Sequence, residues 1–174
     1  SNAGASDSNW QDALYDLLRR HNVKQFAYVP DAGHKVLISR CLADSDVHSI
    51  ALTSEEEGVA LLAGADLGGE RGVLLIQSSG VGNCINMLAL TRGGNFPLLA
   101  IVTMRGDFGE ANPWQYAMGQ AVQPVLKAMD VICLTVERSE DVIPTVSAAL
   151  ATAFQAGKAV AVLLGQKLLG AKKF

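Results

Sequence analysis

Short apolar runs alternate along this chain with longer stretches whose apolar residues recur every three or four positions, a pattern that predicts strands and helices in turn. Residues 8–21 carry Trp10, Leu14, Leu17 and Leu18 on one helical face, and Asp12, Asp16, Arg19 and Arg20 on the other. A strand over 24–30, ended by Pro30, is followed by a turn over 31–34 and a helix over 35–43. The second strand, 47–52, leads into a helix over 54–67 that is built from small residues (Gly58, Ala60, Ala63, Gly64) and stopped by Gly68-Gly69. A helical glycine costs about 1 kcal/mol relative to alanine, so this helix implies close approach of a backbone or a ligand. Residues 72–76 predict a third strand, 77–83 a glycine-rich turn, and 83–92 a helix halted by Gly93-Gly94. A strand over 97–103, a polar loop over 104–112 and a helix over 113–129 follow, and Pro124 should kink or divide that helix. After a strand over 131–136, Ser139 with Glu140 and Asp141 behind it reads as the capped start of a helix that ends at Gly157. Residues 159–165 form the last strand.

This alternation predicts an α/β fold: one doubly wound domain over 8–169, with about six mainly parallel strands and helices on both faces. Residues 1–7 read as a tag remnant and loose N-terminus, and 170–174 as a C-terminal tail. Of the 174 residues, 49% are apolar and 18% charged, the balance of a sheet covered on both sides. A net charge of -3 gives no electrostatic reason to expect nucleic acid or an anionic membrane as partner. No apolar run reaches the roughly 18 residues of a membrane span. The N-terminus lacks the basic-then-apolar pattern of a signal peptide. Cys41, Cys84 and Cys133 are odd in number and far apart, which predicts thiols buried in a protein of the reducing cytoplasm rather than disulfides or a metal cluster.

Two turns carry candidate chemistry. Thr53-Ser54-Glu55-Glu56-Glu57-Gly58 places three carboxylates where a strand gives way to the small-residue helix. Gln77-Ser78-Ser79-Gly80-Val81-Gly82-Asn83 follows the next strand. In a parallel sheet both lie at carboxyl ends of strands, where open α/β sheets bind ligands. Each alone has a plain structural reading. Ser54 with Glu57 makes a capping box. The glycine turn could cradle a phosphate, yet it lacks the Lys-Ser/Thr of a P-loop and the spacing of a dinucleotide fingerprint.

Together they are more specific. The order strand-VPD, strand-TSEEEG-small helix, strand-QSSGVGN-helix, strand-TMRGD resembles the pyrimidine-binding domain of thiamine-diphosphate-dependent enzymes. Within that superfamily it resembles the sulfopyruvate and phosphonopyruvate decarboxylases. Glu55, nine positions before Gly64, matches the glutamate that activates the cofactor, with Glu56 or Glu57 as alternatives in a shifted register. The resemblance implies that Glu55, Ser79, Gly80, Gly82 and Asn83 hold thiamine diphosphate, and that Asp31, His34, Arg105 and Gln115 are candidates for touching a 2-oxo acid. Asp31 reads equally as a turn residue, and Arg105 could instead pair with Asp107 or Glu110. Gln115 stands where the phosphonopyruvate-type pattern has His. The family holds Mg²⁺ and diphosphate through a Gly-Asp-Gly and a later Asn-Asn, whereas here Gly106-Asp107 precedes Phe108 and no Asn-Asn follows. The resemblance therefore implies a separate partner chain of β type that supplies the Mg²⁺ site, together with self-association. A non-catalytic module of the same fold, or an unrelated flavodoxin-like nucleotide-binding domain, are the competing readings.

Overall fold

Side chains on neighbouring strand positions point to opposite faces, and in this chain both faces are apolar. Strand β4 (Leu98–Thr103) is buried at every position and β3 (Arg71–Gln77) at all but its two ends, which requires a cover of helices on either side. The structure, a computed structural model, describes residues 10–170. Residues 1–7 and the start of the helix expected from residue 8 lie outside the described residues, as does most of the expected tail.

Six strands form one sheet in the order β2-β1-β3-β4-β6-β5, all parallel. The others are β1 (Val23–Tyr28), β2 (His48–Ala51), β5 (Ile132–Val136) and β6 (Ala159–Leu164). One face, with Val73, Leu75, Leu99, Ile101, Val160 and Val162, packs on α1 (Trp10–Arg20), α2 (Lys35–Ala43) and α7 (Val142–Phe154). The other face, with Leu74, Ile76, Ala100, Val102, Ala161 and Leu163, is covered by α3 (Glu55–Leu67), α4 (Ser78–Cys84), α5 (Leu88–Gly94) and α6 (Tyr116–Ala128). This is the doubly wound α/β domain expected from the alternation. Among the described residues no helix is long and apolar enough to cross a membrane.

Local departures have physical causes. The glycine-rich segment is a helix, α4, rather than a turn, and neither Gly80 nor Gly82 has a positive φ. Those glycines serve close packing. A Cβ on Gly80 would come within 3.0 Å of the Glu55 carboxyl, and one on Gly82 would lie 3.2 Å from Met118 Sδ. Gly93-Gly94 lies inside α5, and the left-handed Asn95 (φ 54) stops that helix. Pro124 neither divides nor ends α6. The carbonyl it leaves without a helical partner belongs to Gln120, which is exposed to water. Ser139 does not cap; the chain enters α7 through a short 3₁₀ turn, Ser139–Asp141, preceded by Arg138, which bonds Asp141. A short helix that periodicity did not predict, α8 (Gln166–Leu169), follows β6.

Two helical glycines separate packing from propensity. A Cβ at Gly119 would sit within 3.0 Å of the Arg105 carbonyl, whereas at exposed Gly64 nothing lies within 4 Å. Gly119→Ala should therefore destabilise the chain by about 1–3 kcal/mol. Gly64→Ala should stabilise it by about 0.5–1 kcal/mol. Urea denaturation midpoints measure both, and a destabilised Gly64→Ala would mean that this face is already covered in the isolated chain.

Candidate active site

Strand order reverses direction beside β1: the chain leaves β1 for β2 on one side, then crosses back to β3 on the other. A crevice forms at such a point, outside the carboxyl ends of the strands. The residues that end these strands meet there: Asp31 beyond β1, Glu55 beyond β2, Gln77 closing β3, Thr103 and Arg105 at the end of β4, and Gln166 after β6.

The three carboxylates of the first turn take different roles. Glu57 reaches back to the backbone N–H of Thr53 (3.2 Å), half of the expected capping box. Ser54 makes no side-chain cap and donates its hydroxyl to Glu56 instead. Only Glu55 turns across to α4, where its Oε2 accepts from Asn83 Nδ2 at 2.8 Å and its carboxyl lies against Gly80. Oε1 has no hydrogen-bond partner among the described residues. Beneath this pair, burial first and then the Glu55 and Glu56 charges push the Cys84 thiol up to about 12. Cys84 is therefore a protonated packing residue, not a nucleophile.

A second group centres on Gln77, which sequence reasoning placed in the motif without a role. Its Nε2 donates to Asp31 Oδ1 (2.9 Å), which leaves Oε1 to accept from Ser79 Oγ (2.6 Å) and Gln115 Nε2 (3.4 Å). Asp31 Oδ2 accepts from Thr103 Oγ1 (2.7 Å) and Gly33 N (3.0 Å), so Asp31 also caps the 3₁₀ turn Ala32–His34. Burial pushes its carboxyl up, but the bonds from Thr103, Gln77 and Gly33 outweigh that and hold it below the ordinary value. The turn role and the pocket position of Asp31 thus coexist. His34 stands apart, fully buried, with Nε2 donating to the Ile76 carbonyl at 3.0 Å and Nδ1 unpartnered. A carbonyl only accepts, so Nε2 carries a proton, and burial lowers the pKa of the ring, which favours the neutral Nε2–H tautomer. Gly82 packs against Met118, away from Glu55.

Arg105 pairs with Glu110, one of the two local partners that its spacing offered, through Nε and Nη2. The guanidinium bonds come first and outweigh the cost of burial, holding the Glu110 carboxyl down at about 2. Gln166 fastens the same loop: its Oε1 accepts from Asp107 N (3.1 Å) and Phe108 N (3.0 Å). A cavity of about 580 Å³ opens here, with Asp31, Gln77, Thr103, Arg105 and Gln166 in its wall. Glu55, Ser79, Gly80 and Asn83 lie outside that wall, and Gln77 links the two groups. Among the described residues no cluster of three or more His, Cys, Asp or Glu side chains is placed to hold a metal ion.

Residues 8–131 match the family described as thiamine pyrophosphate enzyme, N-terminal TPP binding domain. The chain belongs to this family. Sulfopyruvate decarboxylase subunit alpha of Methanococcus maripaludis is 35% identical over 71% of this chain and 74% of its own length. The protein of that name from Methanothermobacter thermautotrophicus is 29% identical over 88% and 93%. Phosphonopyruvate decarboxylase of Streptomyces viridochromogenes is 34% identical over 79% of this chain but only 33% of its own. In fold, a solved 2-oxoglutarate:ferredoxin oxidoreductase from Magnetococcus marinus superposes on 92% of this chain with a TM-score of 0.74 at 18% identity. Family membership sets aside the unrelated flavodoxin-like reading.

The TPP-binding domain also has residues that fit the aminopyrimidine of such a cofactor. A carboxylate with one oxygen unpartnered suits a ring nitrogen that carries a proton, and the absent Cβ of Gly80 leaves that carboxylate its room. The tie to Glu110 was one of two that the local spacing offered, whereas the hold of Gln166 on this loop carried no sequence signal, because it lies 59 and 58 positions from the N–H groups of Asp107 and Phe108.

Because the folded pKa of His34 lies below its ordinary 6.5, the unfolded chain binds this proton more readily. The stability it contributes is full above about pH 6.5 and declines as pH falls from there towards the folded value. His34→Gln, which keeps a donor for the Ile76 carbonyl, should flatten the stability profile below about pH 6.5, as read by urea denaturation. Profiles that stay parallel would mean that His34 titrates as it does in the unfolded chain.

Proposed function

We propose that this chain is the pyrimidine-binding subunit of a thiamine-diphosphate-dependent 2-oxo acid decarboxylase of sulfopyruvate or phosphonopyruvate type. It works with a separate chain of β type that holds the diphosphate through Mg²⁺. The observation that carries the reading is Glu55, the one carboxylate of three that turns across to α4, set against Gly80 and oriented by Asn83.

When bound, the cofactor supplies an electron sink for the carbanion left by loss of carbon dioxide from a 2-oxo acid. The chain supplies the rest. Glu55 holds a proton at the pyrimidine ring nitrogen, Asn83 keeps its carboxylate turned that way, and Gly80 leaves that carboxylate its room. Ser79 and Gln115 meet at Gln77, whose amide is oriented by ionised Asp31, and they line the approach to the reacting carbon. Gln115 cannot shuttle a proton at neutral pH, so its part is hydrogen bonding alone. Arg105 offers a guanidinium to a sulfonate or phosphonate.

The alpha-subunit names of the relatives support a partner chain. Self-association is supported by the bare face of α3, where Ala60, Gly64 and Leu67 are exposed and Leu67 is 77% accessible. The intact Glu55–Asn83–Gly80 arrangement favours catalysis over a purely structural role.

Alone, the chain should neither decarboxylate nor bind thiamine diphosphate appreciably. Calorimetric titration with cofactor and Mg²⁺ checks this, and micromolar binding would sink the two-chain reading. In the reconstituted complex, Glu55→Gln should slow hydrogen–deuterium exchange at the thiazolium carbon by at least ~100-fold. Glu56→Gln and Glu57→Gln should leave exchange alone and cost about 0.5–2 kcal/mol of stability or less. Normal exchange in all three variants would reduce the carboxylate turn to a helix cap.

A further inference from the structure

The Arg105–Glu110 pair is buried more deeply than stability requires: the Glu110 side chain is 0% and the Arg105 side chain 11% exposed. Removing both charges from water offsets much of their attraction, so an apolar pair would serve the fold about as well. Glu110 occupies the Nε and Nη2 side of the guanidinium, which leaves Nη1 and the second Nη2 hydrogen as an outer edge. Among the described residues Nη1 has no partner, and the one buried side-chain nitrogen or oxygen without a partner is His34 Nδ1. Nη1 therefore reaches solvent, and Arg105 belongs to the cavity wall.

The other charged residues of that wall are engaged. Asp31 accepts from Gln77, Gly33 and Thr103; Lys167 pairs with Glu137, and Arg138 with Glu140 and Asp141. Glu110 is itself tied down. Gln166 Nε2 donates to its Oε1 (3.3 Å) and Asn112 N to its Oε2 (3.4 Å).

We propose that Glu110, anchored by Gln166, is a positioning residue that locks the Arg105 guanidinium with its outer edge towards the cavity, as the receptor for a second anionic group on the substrate. This rests on reading the cavity as the acyl-substrate site. Glu110 neutralises part of the pull on an anion. In exchange it fixes two parallel N–H donors, which match a sulfonate, phosphonate or carboxylate in bidentate fashion.

The test uses the chain without cofactor, so it does not depend on decarboxylation. Nitrogen-15 NMR of arginine side chains follows the Arg105 Nε–H while sulfoacetate, a sulfonate with a carboxylate, is titrated in. In the wild type this signal exchanges slowly with water and shifts saturably. Arg105→Lys, which retains charge but not the fork and has no Nε–H to follow, is read by calorimetric titration with sulfoacetate and should lose the saturable binding that the wild type shows. Glu110→Gln should weaken it about tenfold or more, and Gln166→Met, a milder change, about threefold. No shift at Arg105 in the wild type overturns the proposal, whatever the protein catalyses. Equal or tighter binding by Glu110→Gln also overturns it, since Glu110 would then only compete for the guanidinium. If that variant does not fold, equal or tighter binding by Gln166→Met has the same force. An inactive reconstituted enzyme with intact sulfoacetate binding would count against the decarboxylase reading alone.

Discussion

A parallel sheet covered by helices on both faces can place chemistry only at its ends, and the rest of this protein follows from that constraint. Strands β3 and β4 are apolar on both sides, so polar groups concentrate where the ladders stop. There each backbone and side-chain group still needs a partner. Ser78 Oγ accepts from Arg105 N at 2.9 Å, Gln166 accepts two backbone N–H groups of the loop after β4, and Asp31 accepts from three donors. Satisfying those groups is also what orients Gln77, Ser79, Gln115 and Arg105.

Glycines act at this edge through clearance, and in the loop after β4 also through conformation, where Gly106 and Gly109 are left-handed. Gly80 adopts an ordinary helical backbone and is glycine because the Glu55 carboxyl occupies the space of a Cβ. Gly119 likewise admits the Arg105 carbonyl. Gly106 does both: its φ of 70° is left-handed, and a Cβ there would meet the backbone of Gln115. The loop carrying Arg105 is thus pinned to α6 by backbone contact and to the start of α8 through Gln166, which leaves the guanidinium little freedom beyond its own torsions.

The charged groups of the site divide by environment. Glu110 and Asp31 are held as carboxylates by donors, while His34, a few residues from Asp31, is kept neutral by burial. With Gln115 an amide and Cys84 a protonated thiol, Glu55 is the carboxylate of its turn that reaches α4, with one oxygen bonded by Asn83 and the other unpartnered against Gly80.

The fold class was legible in the sequence because burial on two faces imposes apolar strand runs, and burial on one face imposes helical spacing; α2 spans the same residues, 35–43, in both. The carboxylate turn was legible too, as a junction of strand and helix, but its local pattern did not separate Glu55 from Glu56 and Glu57; the contact with Asn83 on α4 does. What the sequence could not supply was everything decided by side chains distant along the chain. Glycines at 80 and 82 read as a turn on propensity, yet packing against Glu55 and Met118 makes them helical. His34 read as a candidate ligand until the sheet closed over it. Gln77 and Gln166 gained their roles only when the strand ends met, and only the folded loop chose Glu110 over Asp107 for Arg105, because a hydrogen bond depends on distance in space and the linear spacing of its partners carries no period.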